Sequence, residues 1–225
     1  MTAGPRLVCV PGLGLRDDAW APTIAALGLH EAVVQHLPGF GVRATPDDDL
    51  TPAALGARLA AGLAEESRPT VLMGHSASSQ IVVHAAALIP HLISAVVLVG
   101  PTTDPRAASW PRLVARWFRN VVWEPPWQVP ILARCYRRTG LGWMLRAMGA
   151  ARRDDIRVAL SSVRCPVLVV RGPHDHISPA YWARDLASTA PPGSAAVTLA
   201  KGAHMVPLTH GDLLAAAVAE FLDAR

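Results

Sequence analysis

The chain has 225 residues, 51% of them hydrophobic and 17% charged, with a formal net charge of +4. This length and composition predict one compact globular domain and exclude a disordered chain. Because no apolar run reaches the roughly 18 residues that a spanning helix needs, and the N-terminus lacks a signal-peptide pattern, we expect a soluble, cytoplasmic protein.

Six short apolar segments alternate along the chain with longer segments rich in Ala and Leu. We predict these short segments to be β-strands, at residues 6–10, 32–37, 70–74, 95–100, 166–172 and 195–200. Their near-continuous apolar character is typical of parallel strands that are covered on both faces. The alternation of strand and helix therefore predicts an α/β fold with a doubly wound, mostly parallel sheet.

Three predicted helices carry start signals. Thr51-Pro52 fits an N-cap followed by a proline in the first turn, and opens a helix that we expect to end near residue 67. Ser178-Pro179 repeats this signal before "AYWARDLAS". Thr209–Asp212 fits a capping box before "LLAAAVAEFL", so we predict a third helix there.

Residues 101–160 differ in composition from the rest of the chain. Between Pro101 and Arg157 there are eleven Arg against four acidic residues, a local balance of +7, and five of the seven Trp. The helical pattern in this segment is interrupted by "EPPWQVP", and the alternation of strand and helix stops. We interpret residues 101–160 as a helical lid inserted into a core formed by residues 1–100 and 161–225.

The segment "VLMGHSASSQIVV", residues 71–83, ends a predicted strand in a turn of small residues and then begins a helix. A nucleophile elbow requires this setting, because a strained corner holds the hydroxyl of Ser76 clear of the sheet. Gly74 meets the need for small neighbours where strand and helix pass close together, and Ser78 stands where a second glycine is usual. The alternative is that Ser76 only caps the helix.

Four further motifs, in the right order, resemble those of the α/β-hydrolase family. They are "VPGLGLRDDAW" (10–20), "LPGFGVRATP" (37–46), "VRGPHDHISP" (170–179) and "GAHMVPLTH" (202–210). The resemblance covers nearly the whole chain outside the lid and implies a serine hydrolase on an α/β-hydrolase fold. Because only five residues precede the first predicted strand, we expect a trimmed sheet of about six strands, all parallel.

The resemblance implies a catalytic triad in the chain order Ser, Asp, His. A serine at its free pKa is a poor nucleophile, and His204, in a glycine-bearing loop after the last strand, is the candidate base for Ser76. Asp175, in the loop after the preceding strand, is the predicted carboxylate that orients His204. Asp104, after the fourth predicted strand, is the alternative, because some family members place the acid there. His210, at a predicted helix start, is assigned a structural role.

An acyl-transfer site also needs hydrogen-bond donors for the oxyanion. The resemblance places these donors at the backbone N–H groups of Leu13 and Ala77. Gly12 and Gly14 let this backbone approach a substrate closely. Pro11 stands where the family usually has histidine, which leaves open how the turn is braced.

No cofactor and no metal site are predicted. "GLGL" after the first strand lacks the spacing of a dinucleotide-binding loop. His174 and His176 have no matching acid cluster that would complete a zinc site. Cys9, Cys135 and Cys165 show no metal-ligand spacing and favour buried thiols in a reducing compartment.

Apolar residues recur at helical spacing in the lid, at Trp110, Val114, Trp117 and Val121. One interpretation is an apolar stripe that covers the site while the arginines stay in solvent. A second is that an arginine such as Arg116 points inward and binds an anionic part of the substrate. A membrane-surface role ranks third, and nucleic acid binding last because no recognised module is present. Trp110, Trp117 and Arg116 are the candidate substrate-binding residues.

These observations predict a serine hydrolase that cleaves a small-molecule ester, thioester or lactone through an acyl-enzyme intermediate. The alternative is a non-hydrolytic protein on the same scaffold, such as a lyase, a cyclase, a cofactor-free oxygenase or a binding protein. Labelling by a fluorophosphonate separates the two classes best, because it asks whether Ser76 is nucleophilic.

Overall fold

The computed structural model describes residues 5–28 and 32–224. Its strands are β1 (Arg6–Val10), β2 (Ala32–Val34), β3 (Leu37–Pro38), β4 (Gly41–Val42), β5 (Thr70–His75), β6 (Ile93–Val99), β7 (Val167–Arg171) and β8 (Ala195–Thr198). Its α-helices are α1 (Ala21–Leu27), α2 (Pro52–Leu63), α3 (Ser78–Leu88), α4 (Trp110–Val121), α5 (Val129–Thr139), α6 (Leu141–Ala151), α7 (Ile156–Leu160), α8 (Ala180–Thr189), α9 (Val206–Thr209) and α10 (Gly211–Asp223).

Six strands form one sheet in the order β2-β1-β5-β6-β7-β8, and every neighbouring pair is parallel. β3 and β4 pair with each other in a separate two-stranded sheet. The predicted fold class, a trimmed six-stranded parallel sheet with helices on both faces, is confirmed. Because the strands are parallel, the loops after β1, β5, β6 and β7 all leave the sheet at one edge.

Alternate residues of each strand point to opposite faces of the sheet. Val8, Leu72 and Val96 pack into one buried cluster with residues of α2, α3 and α8. Leu7 and Val71, each one position earlier, pack into a second cluster with residues of α1 and α10. Since both faces are covered, both sets of side chains are apolar, which explains why the strands are apolar without interruption.

The segment between β6 and β7 forms four helices, α4 to α7. Trp110, Val114, Trp117 and Val121 of α4 line a common cavity, so the predicted apolar stripe exists. α7 joins the core, because its buried residues lie in the same cluster as those of α3 and α8. Within 5–28 and 32–224, no helix combines the length and apolar character needed to cross a membrane.

Two predicted element ends differ from the structure by three residues or more. The strand predicted at 32–37 stops at Val34, and Leu37 instead belongs to β3, which pairs with β4 in the separate two-stranded sheet. The helix that opens at Thr51-Pro52 ends at Leu63 rather than near residue 67. The N-cap of that helix is confirmed, since the Thr51 hydroxyl accepts the N–H of Ala54.

The other two helix-start signals were also wrong in detail. The N-cap of α8 is Pro179 rather than Ser178, because the carbonyl oxygen of Pro179 accepts the first helical N–H groups, those of Trp182 (2.9 Å) and Ala183 (3.1 Å). The capping box at 209–212 is absent. Thr209 instead lies in α9, where its hydroxyl donates to the carbonyl oxygen of Met205 one turn earlier (2.9 Å), and α10 begins at Gly211 without a side-chain cap.

Candidate active site

Ser76 lies in the sharp turn between β5 and α3. Of the non-glycine residues that the structure describes, Ser76 alone has a left-handed backbone (φ 58°). Its N–H donates to the carbonyl oxygen of Val99, at the end of the neighbouring strand (2.8 Å). A strained conformation held in this way is typical of functional residues, and it separates the serine from both the strand and the helix.

Close packing and hydrogen bonding explain why the residues on either side of Ser76, Gly74 and Ser78, are small. A Cβ on Gly74 would lie 2.8 Å from the carbonyl oxygen of Ser78, because α3 crosses β5 at that point. Ser78 itself is fully buried, and its hydroxyl accepts the N–H of His75 (2.8 Å) while lying 2.8 Å from the carbonyl oxygen of Val10. In place of the usual second glycine, Ser78 therefore ties the turn to β1.

His204 and Asp175 form a buried pair at the same edge of the sheet. Nδ1 of His204 lies 3.0 Å from Oδ2 of Asp175, and the other carboxylate oxygen accepts the N–H groups of Ile177 (2.9 Å) and Ser178 (2.8 Å). Burial opposes both charges, but each charge stabilises the other. The pKa of Asp175 is therefore lowered and the pKa of His204 is raised.

A buried arginine holds the loop that carries Asp175. Nε of Arg171 donates to the carbonyl oxygen of Ser178 (2.7 Å), and its Nη2 donates to that of Asp175 (2.8 Å). Burial lowers the pKa of Arg171, an effect that the charge of Asp175 opposes. This role of Arg171 could not be predicted from the sequence, because a charged residue at the end of an apolar strand gives no sign of its partners.

Asp104, the alternative acid, lies elsewhere in the site and does not contact His204. Its carboxylate accepts hydrogen bonds from Arg116 (2.6 Å), from the hydroxyl of Tyr181 and from the N–H of Arg106 (3.0 Å). Burial would raise the pKa of Asp104, but these hydrogen bonds outweigh it and lower the pKa. Of the two predicted acids, the structure therefore brings only Asp175 to the imidazole.

His75, the residue before Ser76, contacts the His204 loop. Its Nε2 lies 3.0 Å from the carbonyl oxygen of His204, and the two imidazole rings are 5.0 Å apart. Burial and the neighbouring His204 lower the pKa of His75 to about 3, so His75 is neutral and its Nε2–H donates. Although His75 stands inside the elbow motif, this contact could not be predicted from the sequence, because its partner lies 129 positions away.

The two predicted oxyanion donors are free. Among the described residues, the backbone N–H groups of Leu13 and Ala77 have no hydrogen-bond acceptor. Leu13 lines the same cavity as Ser76. A Cβ on Gly12 would lie 2.7 Å from Nδ1 of His75, so a larger residue would collide with the elbow. Two unpaired donors beside a serine are the arrangement that an oxyanion requires.

The turn after β1 is braced without the family's usual histidine. The N–H of Gly14 donates to the carbonyl oxygen of Gly39 (2.9 Å), and the hydroxyl of Thr139 donates to the carbonyl oxygen of Gly14 (3.2 Å). Contacts from α5 and from the loop before β4 therefore hold the backbone that follows Pro11.

A cavity of about 680 Å³ joins these residues. Ser76, His75, His204 and Leu13 line it on the core side, and mostly apolar side chains of α4, α5 and α6 line it on the other. The candidate substrate-binding residues Trp110, Trp117 and Arg116 all lie in this wall. Within the described residues no hydrogen bond joins Ser76 to His204, a contact that in free enzymes is often long and tightens when substrate binds.

The remaining histidines near the site have structural contacts. The ring of His174 stacks on Trp123 of the lid segment (3.7 Å between ring centroids), and the N–H of His176 donates to the side chain of Asn120 (3.3 Å). His210 is the N-cap residue of α10, with its Nδ1 2.9 Å from the hydroxyl of Thr209. His210 therefore lies at a helix start, as predicted.

Comparison with known proteins gives a relative of similar length. The sequence is 26% identical to the pimeloyl-(acyl-carrier protein) methyl ester esterase of Xanthomonas campestris pv. campestris, over 98% of this chain and 96% of that protein. Solved structures resemble the fold. A hydrolase from Oleispira antarctica has a TM-score of 0.81 at 14% identity, covering 99% of this chain and 92% of that one.

The enol-lactonase from Burkholderia xenovorans LB400 has a TM-score of 0.77 at 21% identity, covering 98% of this chain and 92% of that one. At these identities, the likeness to solved structures shows the fold alone. A sequence model of the alpha/beta hydrolase family matches residues 7–217, which is most of the chain and includes every candidate catalytic residue. The chain therefore belongs to the alpha/beta hydrolase family.

Proposed function

We propose that this alpha/beta hydrolase cleaves a carboxylic ester or thioester through Ser76, His204 and Asp175. One observation carries the proposal. The left-handed turn at Ser76 opens into the same cavity as His204, whose other ring nitrogen is held by a buried carboxylate. This is the arrangement by which a weakly acidic hydroxyl becomes a nucleophile.

In the proposed reaction, Oγ of Ser76 attacks the carbonyl carbon of the ester while its proton moves to Nε2 of His204. Asp175, on Nδ1, stabilises the imidazolium that forms. The N–H groups of Leu13 and Ala77 donate hydrogen bonds to the negatively charged tetrahedral oxygen and stabilise it. The bond to the leaving oxygen or sulfur then breaks, and His204 returns the proton to that atom. Water repeats these steps on the acyl-enzyme, which releases the acid and restores the serine.

The cavity supports a substrate with an uncharged, apolar part next to the scissile bond. Its outer wall is formed largely by Trp, Leu, Val and Met side chains. Arg116 faces this cavity, as the second interpretation of the lid required, but its charge is matched by the buried carboxylate of Asp104. The esterase of Xanthomonas campestris acts, by its name, on a methyl ester of a carrier-bound acyl chain. A neutral ester is therefore the favoured substrate class.

We further propose that residues 101–155 act as the lid of this site and that residues 1–100 and 156–225 form the catalytic core, since α7, which the sequence interpretation placed in the lid, packs in the core. The support is the position of α4, α5 and α6, whose side chains form the wall of the cavity opposite Ser76. A wall made by an insertion between two strands is the part of the fold that can select the substrate without altering the catalytic residues.

Fluorophosphonate labelling tests the proposed function. The parent protein should be labelled once, on Ser76 in a peptide map, and should hydrolyse p-nitrophenyl acetate. Ser76→Ala should lose both properties, and Ser79→Ala, a serine three residues further on that donates to Gly74, should keep the label. Labelling of Ser76 without turnover of any ester would favour a non-hydrolytic reaction, and absence of labelling would refute the nucleophile.

A further inference from the structure

Glu124, in the lid segment directly after α4, contacts the loop that carries His204. One carboxylate oxygen, Oε1, accepts the backbone N–H groups of His204 (2.8 Å) and of Met205 (2.9 Å). The two partners are 80 and 81 positions away in the chain. Hydrogen bonds from two successive N–H groups to one ionised oxygen fix the direction of that backbone, because both donors must converge on the same point.

The carboxylate of Glu124 is itself held by two buried amides. Nδ2 of Asn120 donates to the same oxygen (2.9 Å), and Nε2 of Gln128 donates to the other (2.9 Å). Asn120 and Gln128 are 3% and 1% exposed. Four donors thus surround one side chain. A side chain held by this many hydrogen bonds is preorganised, and it therefore fixes the position of the loop that it binds.

Asn120 also reaches the other catalytic loop, since its Oδ1 accepts the N–H of His176 (3.3 Å), next to Asp175. Trp123, which stacks on His174, adds a contact to the same loop. The C-terminal end of α4 therefore contacts the acid loop and the base loop at once.

We propose that Glu124, supported by Asn120, is a positioning residue for His204, so that the lid segment assembles the catalytic base as well as enclosing the substrate. This proposal rests on the proposed function of Ser76 and His204. Among the residues that the structure describes, three charged or titratable groups face the imidazole: Asp175 from the loop after β7, His75 from β5, and Glu124 from the lid. The negative charge of Glu124 also favours the imidazolium, so it raises the pKa of His204 alongside Asp175 and against burial.

Two substitutions separate the hydrogen bonds of Glu124 from its charge. Glu124→Ala removes both. Glu124→Gln keeps an oxygen for the N–H groups of His204 and Met205, and its amide can donate to Gln128, whose Oε1 has no partner among the described residues. Glu220→Ala is the matched control, because Glu220 is an exposed carboxylate on α10 and its removal changes the net charge equally.

The first measurement is the pH dependence of ester hydrolysis and of fluorophosphonate labelling. With Glu124→Ala, kcat and the labelling rate should both fall by about 100-fold while KM changes little, since a base displaced by about 1 Å loses that much. Glu124→Gln should keep kcat near the parent value at high pH. In both variants the acidic limb of kcat/KM should move to lower pH, because the pKa of His204 falls. Glu220→Ala should match the parent throughout.

The second measurement does not depend on activity. The ring ¹⁵N signals of His204, assigned by loss in His204→Gln, report its titration, and both Glu124 variants should lower that titration midpoint. A parent protein that shows no labelling at Ser76 would refute the proposed function, and the titration would still decide the contact with Glu124. A folded Glu124→Ala variant with parental kcat, or an unchanged titration of His204, would overturn the positioning role.

Discussion

Ser76 combines a reactive group with an unfavourable backbone. A left-handed serine costs about 1–3 kcal/mol, and the protein retains it where the N–H of Ser76 is bonded to β6 and the next turn of chain is tied down by Ser78. On the same side of the cavity, the charge of Asp175 is balanced by His204 and by two backbone N–H groups. The chemistry at this scale depends on a few side chains that have little freedom to move.

Ser76→Ala tests the nucleophile quantitatively. We expect kcat for p-nitrophenyl acetate to fall on the order of 10^6-fold if the three residues act as a unit. The thermal unfolding midpoint should change little, because no hydrogen bond of the Ser76 side chain is present in the described part of the chain. A variant that hydrolyses the ester at the parental rate would contradict the assignment.

Asp175→Asn tests which acid orients the base. We expect kcat to fall by about 10^4-fold, because the asparagine amide favours the wrong imidazole tautomer of His204. Asp104→Asn should cause a much smaller loss, since Asp104 contacts Arg116 and Tyr181 instead. The comparison is made on kcat for one ester under identical conditions, and the reverse ranking would move the acid to the loop after β6.

The pH profile follows from the raised pKa of His204. Only the neutral imidazole can accept the serine proton, so kcat/KM should fall on the acidic side, with a midpoint above the ordinary histidine value of about 6.5. Asp175→Asn should move this limb to lower pH, because the carboxylate that stabilises the imidazolium is gone. His75, whose pKa is lowered to about 3, should add no second limb near neutrality. A parental limb well below the ordinary value would contradict the pairing.

At the scale of elements, the site depends on the close crossing of β5 and α3. The crossing leaves no room for a side chain at Gly74, and Ser78 bridges the turn to β1. The parallel order of the strands then brings the loops after β1, β5 and β8 to the same edge. The position of Ser76 relative to Leu13 and His204 is thus a property of how three strands end together.

Gly74→Ala tests this crossing. Because the new methyl group would meet the backbone of Ser78 at 2.8 Å, we expect the free energy of unfolding to fall by about 1–3 kcal/mol, as overpacking usually costs. Gly62→Ala is the control. Gly62 lies within α2 with open space around it, so alanine there should stabilise the helix by about 0.5–1 kcal/mol. Urea denaturation of both variants gives the two values, and equal effects would contradict the argument.

At the scale of the whole molecule, the solvent side and the cavity side of the lid segment differ in charge. Residues 101–157 contain eleven Arg and four acidic residues. Arg116, the arginine that reaches the cavity, is nevertheless paired with Asp104. Arg112 and Arg119 of the same helix are exposed. The lid is therefore basic toward solvent, whereas toward the cavity it presents the Arg116–Asp104 pair and the carboxylate of Glu124.

Matched neutral and anionic esters test this distribution. Arg112→Gln and Arg119→Gln should change the preference for the neutral ester by no more than about 0.5 kcal/mol, as surface substitutions do. Arg116→Gln should strengthen that preference, because it leaves the carboxylate of Asp104 without its cation inside the cavity. The double variant Arg116→Gln with Asp104→Asn should restore it. A loss of about 2–5 kcal/mol in binding of the anionic ester for Arg112→Gln or Arg119→Gln would instead show an inward arginine.

Much of this protein follows from local sequence. The uninterrupted apolar strands imply a sheet covered on both faces, and their alternation with helices implies parallel order, because both patterns arise from short-range covalent geometry and burial. The turn at Ser76 was predictable from residues 71–83 alone, since a small-residue corner between a strand and a helix is a local feature. The C-terminal end of α2 and the caps of α8 and α10 were not predicted correctly; at Ser178 and Thr209, local hydrogen bonds to Asp175 and Met205 replace the expected capping pattern.

Which side chains meet in the site was decided by the tertiary structure. Asp104 and Asp175 both follow strands that end at the same edge, so the sequence allowed either to orient His204, and only the path of each loop separates them. Arg116 faces the cavity, as one reading of the sequence allowed, but the match of its charge to Asp104 could not be read from helical spacing. Glu124 meets the His204 loop across 80 residues of chain. Contacts of this kind are set by how separate elements pack, and no short-range pattern in the sequence encodes them.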